Sequence, residues 1–274
     1  MAEILNKELI QNPRLWRLEL RIERSMLHVL LFNSIEDNSL IYRKIELDES
    51  QPSHLKALEN AIYENPLLLS DFDRIDCVID TNTFVVIPAE INDESLRQQI
   101  LETSFPEFKG EMIVCELNNV GASILMGVET DVLRFLRRTF NNPRLHHHLA
   151  PLAQYFFHKS KLGNNAKMYA VLRKQHIDLF AFADRALKLA NTFTYRDPLD
   201  AVYYILSCRK QLQMSPTNDE LFITGSTTTR ETITPILRKH LSFVMPVIFP
   251  SEMFKAGKEA MKAPFDLIVL PLCE

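Results

Sequence analysis

A run of extended segments, Leu15 to Leu47, returns in altered form at Lys167 to Tyr195, which restricts the chain to folds made of two like halves. In the first copy Trp16, Leu18, Leu20 and Ile22 alternate with Arg17, Glu19, Arg21 and Glu23. That is the period of a half-buried strand, so the glutamates are expected on a solvated face. Arg24-Ser25 makes a tight turn, and Met26 to Asn33 reads as an inner strand. Glu36-Asp37-Asn38 is a polar turn, and Ser39 to Leu47 is a third strand. Pro52 then opens a helix with Leu55, Leu58 and Ile62 on one face, and Cys77-Val78-Ile79 forms a short buried strand.

The second copy has strands at Lys167–Arg173, His176–Ala183 and Leu187–Tyr195, with turns at Lys174-Gln175 and Asp184-Arg185. A helix starts at Asp197-Pro198, and the strand Glu220–Thr224 runs into Gly225-Ser226. The first turn recurs from Arg24 to Lys174, the helix-opening proline from Pro52 to Pro198, and the buried strand from Val78 to Phe222. Spacings so nearly constant indicate a structural duplication.

Between the copies the pattern predicts a helix over Asp93–Phe105 and a strand pair, Glu111–Leu117 and Ser123–Val128. A helix from Thr130 and another over Leu145–Lys159 follow. Beyond the second copy come a helix capped by Thr228 and Glu231, a helix over Ser251–Lys262, and a last apolar strand at Phe265–Leu270. The expected division is residues 1–160, with an inserted or extended segment at about 90–145, and residues 161–274, linked near Gly163.

The net charge of −4 disfavours a general nucleic-acid-coating role, although Arg134, Arg137, Arg138 and Arg144 gather mid-chain, where a solvated helix face is the plainer reading. Cys77, Cys115, Cys208 and Cys273 stand at neither metal-ligand nor redox-motif spacing, which fits a reducing cytoplasm. Met1 to Arg14 lacks a signal-peptide core, and no segment has the run of about 20 apolar residues a membrane span needs, so a soluble cytoplasmic protein is expected. His146-His147-His148 is expected at a helix start, where consecutive side chains diverge and cannot share a metal. No metal site is expected. Serine and cysteine hydrolase patterns are not evident.

Three antiparallel strands followed by helix, strand and helix resemble a ribonuclease H-like unit. Two in tandem resemble the actin-like ATPase fold, shared by actin, sugar kinases and heat-shock chaperones. From Leu15 to Leu270 the chain looks like a bacterial family of unknown function with that fold. The resemblance implies an α/β protein with mixed sheets and tandem βββαβα units. It also implies where an ATP site would lie: phosphate loops at the first hairpin turn of each half, each with an acidic residue and a glycine. Here those turns are Arg24-Ser25 and Lys174-Gln175, and none of the six glycines falls in either. Glu23 stands near the place of the Mg²⁺-organising acid. Asp80 ends the buried strand. Gly225 and Ser226 match the turn against which adenosine packs. These four are candidate remnants of a nucleotide cleft, and no catalytic residue is assigned.

The expectation is a non-catalytic binding or adaptor protein, without a cofactor and with an unidentified protein partner. The alternative is a divergent nucleotide-binding ATPase or kinase-like enzyme using ATP and Mg²⁺ between the halves. A third reading, a nuclease, would use Glu19, Glu23 and Asp80 for two Mg²⁺ ions. Oligomeric state is not legible.

Overall fold

The structure, a computed structural model, describes residues 4–33 and 35–273, so residues 1–3 of the polar N-terminal stretch lie outside the described residues. In the first half β1 (Arg17–Ile22), β2 (Met26–Phe32) and β3 (Ile41–Glu46) form an antiparallel meander. After α1 (His54–Tyr63), β4 (Arg74–Ile79) returns parallel to β1. The chain then leaves this sheet. β5 (Phe84–Pro88), α2 (Glu94–Ser104), β6 (Glu111–Leu117) and β7 (Ala122–Val128) build a separate three-stranded sheet in the order β5-β7-β6, with α2 on one face. α3 (Thr130–Thr139), β8 (Arg144–His147) and α4 (Leu149–Ser160) complete the half, whose sheet order is β3-β2-β1-β4-β8.

The second half repeats this without the insertion. β9 (Lys167–Leu172), β10 (His176–Ala183), β11 (Ala186–Thr194), α5 (Pro198–Gln211), β12 (Glu220–Gly225), α6 (Thr227–Leu237) and β13 (Val244–Pro246) give the order β11-β10-β9-β12-β13. Asp184 and Arg185 both have left-handed backbones, as the mirror-image turn of a two-residue hairpin requires.

Matching backbone hydrogen bonds tie the copies together. Glu23 N–H donates to Met26 O, and Arg173 N–H to His176 O. Leu47 N–H donates to Ser25 O, and Tyr195 N–H to Gln175 O. Asp80 N–H donates to Ile22 O, and Ser226 N–H to Leu172 O. Asp80 and Ser226 are therefore counterparts, as are Glu23 and Arg173.

Several expectations are corrected. The inserted sheet begins at Phe84, before residue 90, and α3 and β8 belong to the repeated unit rather than to the insertion. Residues 144–147 are a strand, not a helix start, because β8 completes the sheet by pairing parallel to β4. Residues 265–269 are helical rather than extended: α7 (Ser251–Ala256) and α8 (Phe265–Val269) form a tail that leaves the second half. Ser226, not Thr228, caps α6. Both faces of β1 are buried, with Glu19 and Arg21 nearly inaccessible, since α8 covers the face expected to be solvated.

The two halves interlock. α4, from the first half, packs on β10 and β11 of the second. The tail crosses the other way. Met253, Ala260, Leu267, Ile268 and Leu270 pack on Leu30, Phe32, Leu40 and Val78 of the first sheet. Phe156 on α4 stacks on Tyr169 and Phe265 and meets Phe180 edge-on, so the main core runs through both halves.

Candidate functional site at the seam between the halves

The C-terminal ends of the parallel strands face one another where the halves meet. In open α/β sheets ligands bind beyond these ends. The first half brings Glu23 after β1, Asp80 after β4 and His148 after β8; the second brings Arg173 after β9 and Gly225-Ser226 at the end of β12.

Charged side chains from both halves meet here. Arg173 Nη1 donates to Asp80 Oδ2 at 2.5 Å, and Arg173 Nη2 donates to Asp178 Oδ1 at 2.9 Å. Arg21 Nη2 reaches the same Asp80 oxygen at 3.0 Å, while its Nε donates to Asp266 of the tail at 2.5 Å. Arg21 also pairs with Glu23. His148, fully buried, lies 3.2 Å from Asp80 and 3.5 Å from Asp178, and the Thr192 hydroxyl donates to Asp178 at 2.8 Å. Asp80 is thus shared by cations of both halves.

Burial opposes ionisation of Asp80, but His148, Arg21 and Arg173 outweigh it and hold its carboxyl below the usual carboxylate range. Burial likewise opposes ionisation of Asp178, and Arg173 and His148 overcome it. Both arginines are desolvated yet held more firmly protonated than usual, Arg21 chiefly by Asp266 and Arg173 chiefly by Asp178.

The four expected site residues fall into two pairs. Glu23 and Asp80 both touch Arg21, whereas Gly225 and Ser226 sit at the end of β12 against Leu172, one residue before Arg173. Gly225 answers a backbone demand. Its φ is +94°, and a Cβ there would come within 2.0 Å of Leu172 O. Ser226 accepts the Thr229 N–H as helix cap. The nuclease carboxylates do not converge, because Glu19 lies four residues back along β1 from Glu23, beside Asp76. The three histidines take separate partners: His146 meets Asp76 at 2.7 Å, His147 meets Thr81 O at 3.0 Å, and His148 joins the seam. Among the described residues no group of three or more His, Cys, Asp or Glu is placed to hold a metal ion. Sequence reasoning missed Arg21, Arg173, Asp178 and Asp266. Arg173 carried one signal, a basic residue at the position where Glu23 stands in the other half.

Residues 7–244 match the model of the family described as Protein of unknown function (DUF3822). The chain belongs to this family. The DUF3822 chain is also similar to a solved protein from Bacteroides thetaiotaomicron described as having an actin-like ATPase fold and unknown function. The two are 28% identical, with 96% of this chain and 97% of that one covered and a TM-score of 0.81. A solved PilM–PilN type IV pilus biogenesis complex matches at a TM-score of 0.51 and 12% identity over 94% of this chain and 95% of that one, a likeness of fold alone. No curated protein matches. The fold is the actin-like ATPase fold. Among the described residues of this DUF3822 protein no helix is long and apolar enough to cross a membrane.

At the edge of the seam His28 receives the Tyr42 hydroxyl at Nδ1 (2.7 Å), leaving Nε2–H to donate to Glu23 at 3.2 Å. These are the roles the two nitrogens take when the imidazole is neutral. Burial, with Arg21 beside it, lowers its pKa from 6.5 to about 4. A depressed folded-state pKa means that the unfolded chain takes up the proton first. The stabilisation is complete above pH 6.5 and is lost as the pH falls towards 4. His147, lowered by burial and by His148, acts in the same direction. Stability from urea titrations is expected to be level above pH 7 and to fall by about 3 kcal/mol or more between pH 6.5 and 4. His28→Gln should flatten part of that slope; an unchanged slope would refute the assignment.

Proposed function

We propose that this protein is a non-catalytic member of the actin-like fold, a binding or adaptor scaffold whose nucleotide cleft has been replaced by an ionic seam. The observation that carries this reading is Arg173. It stands where phosphate would be cradled, and it reaches across to Asp80 of the other half while also holding Asp178. Phosphoryl transfer draws its charge stabilisation from backbone amides and Mg²⁺-binding acids around the phosphates. Here the acids are engaged by arginine, and both turns, Arg24-Ser25 and Lys174-Gln175, lack glycine. Neither ATP nor Mg²⁺ has a part in this reading. The partner would be another protein; the fold occurs in a PilM–PilN complex, which supports a scaffold role in kind without naming a partner. A cytoplasmic location is part of the same proposal.

The test is thermal unfolding with and without millimolar Mg·ATP, with phosphate release measured in parallel. A ligand at a hundred times its Kd adds about 2.7 kcal/mol, which shifts the midpoint measurably. Neither a seam-dependent shift nor hydrolysis is expected. Turnover of ATP, or a shift abolished by Ser226→Ala, would overturn the proposal in favour of the nucleotide-binding alternative.

A further inference from the structure

The opposite ends of the same strands differ between the two halves. β1, β4 and β8 run parallel, and each begins with an arginine: Arg17, Arg74 and Arg144. Arg17 and Arg74 are direct partners across the β1–β4 ladder, where Asp76 offsets the Arg74 charge. The second half gives the internal comparison. At the same rung of the β9–β12 ladder Lys167 faces Glu220, an opposite pair 3.6 Å apart, and β13 brings Val244 and Met245 without charge. In the second half one cation, paired with a carboxylate, stands at this end, where the first half has three arginines.

In the first half this end of the sheet opens into a cavity of about 730 Å³, between the loop before β4 and the loop joining α3 to β8. That volume suits a small molecule. Arg17, Arg74 and Arg144 line it, with Ser70, Asn141 and Asn142. Asp76 grips Arg74 through two hydrogen bonds of 2.6 and 2.9 Å, which fixes its guanidinium, and Arg17 lies over the Phe32 ring. Arg144 is exposed at the mouth. Arginine forks suit phosphate and carboxylate oxygens. Asp71 and Asp73 are also in the wall. Carboxylates repel an anion but accept hydrogen bonds from hydroxyl groups.

We infer that this cavity, distant from the seam, is a binding site for a small phosphate monoester that carries hydroxyl groups. The phosphate meets the three strand-start arginines, and the hydroxyls meet the aspartates and asparagines. The ends of the six-residue strand β1 are about 17 Å apart, so this site and the seam are separate.

The experiment is calorimetric titration of the full chain with glycerol 3-phosphate, glycerol, a short hydroxy-carboxylate, and sodium chloride at matched ionic strength. Glycerol 3-phosphate is expected to bind, and glycerol and salt to give no heat of binding. Arg144→Ala should weaken binding by about tenfold or more while leaving the unliganded melting temperature in place, because the side chain is exposed. Arg144→Lys should recover part of it. Absence of binding, equal binding by Arg144→Ala, a salt response of the same size, or preference for the carboxylate over the phosphate would overturn the inference. A Mg·ATP response lost in Arg144→Ala belongs to this cavity. One retained there but lost in Ser226→Ala counts against the closed seam instead, so the two readings fail separately.

Discussion

Replacing Asp80 with alanine is expected to lower the unfolding free energy by about 3–5 kcal/mol, the cost of removing one partner from a buried ion pair. Asp80 accepts from Arg21 at 3.0 Å and from Arg173 at 2.5 Å, and its side chain is 15% exposed. Without it, the buried Arg21 and the half-buried Arg173, whose guanidinium groups repel each other, lose the carboxylate they share. Urea titrations of wild type and variant, fitted with a common slope, measure the loss. Asp80→Asn keeps the shape and an acceptor oxygen but removes the charge, and about 1–3 kcal/mol is expected for it. A double-mutant cycle with Arg173→Ala should return a coupling of about 0.5–3 kcal/mol. A loss below about 1 kcal/mol in Asp80→Ala would place the seam with solvated surface pairs and would remove its claim to join the halves.

The strand order was legible because short-range patterns carried it. Alternation over Leu15–Glu23, the two-residue turns, and the Asp197-Pro198 helix start each act within a few residues, and the structure has the strand, the turns and the helix start in place, although both faces of the strand are buried. The seam was not legible for the opposite reason. Arg173 and Asp80 are 93 residues apart, and Arg21 and Asp266 are 245 apart. No local pattern links them, and Arg21 looked like one of the polar residues of an alternating strand. The misread elements are short apolar runs. Phe265-Asp266-Leu267-Ile268-Val269-Leu270 is too brief to display a period of 3.6 or of 2. Leu145 to His147 runs in sequence straight into the helix that follows, and only the pairing with β4 makes it a strand. The sequence marks Gly225 by its place between a strand and a helix, and its reason, close approach to Leu172, is visible only in three dimensions.

Phe156→Ala is expected to cost a further large amount, about 3–5 kcal/mol, as for other buried phenylalanines cut to alanine. Phe156 is fully buried on α4, with ring centroids 4.3 Å from Tyr169, 5.4 Å from Phe180 and 5.9 Å from Phe265. Its partners lie on β9, β10 and α8, so one side chain of the first half is held by the second half and by the returning tail. The cavity left behind would border Tyr169, Phe180 and Phe265. Scanning calorimetry checks this. Because the main core takes in residues of both halves, wild type and variant are each expected to unfold in one transition, the variant at lower temperature. Phe156→Leu, which keeps more of the volume, should lose less. Two resolved transitions in the wild type would mean that the halves fold as separate units. A protein that opens and closes on a nucleotide needs a joint that yields. Here an apolar core and an ionic seam both cross that joint, and the exchange of α4 and the tail ties each half into the other's sheet. These contacts tie the halves together, and a single calorimetric transition that shifts as a whole in Phe156→Ala is the measurement that separates coupled halves from independent ones.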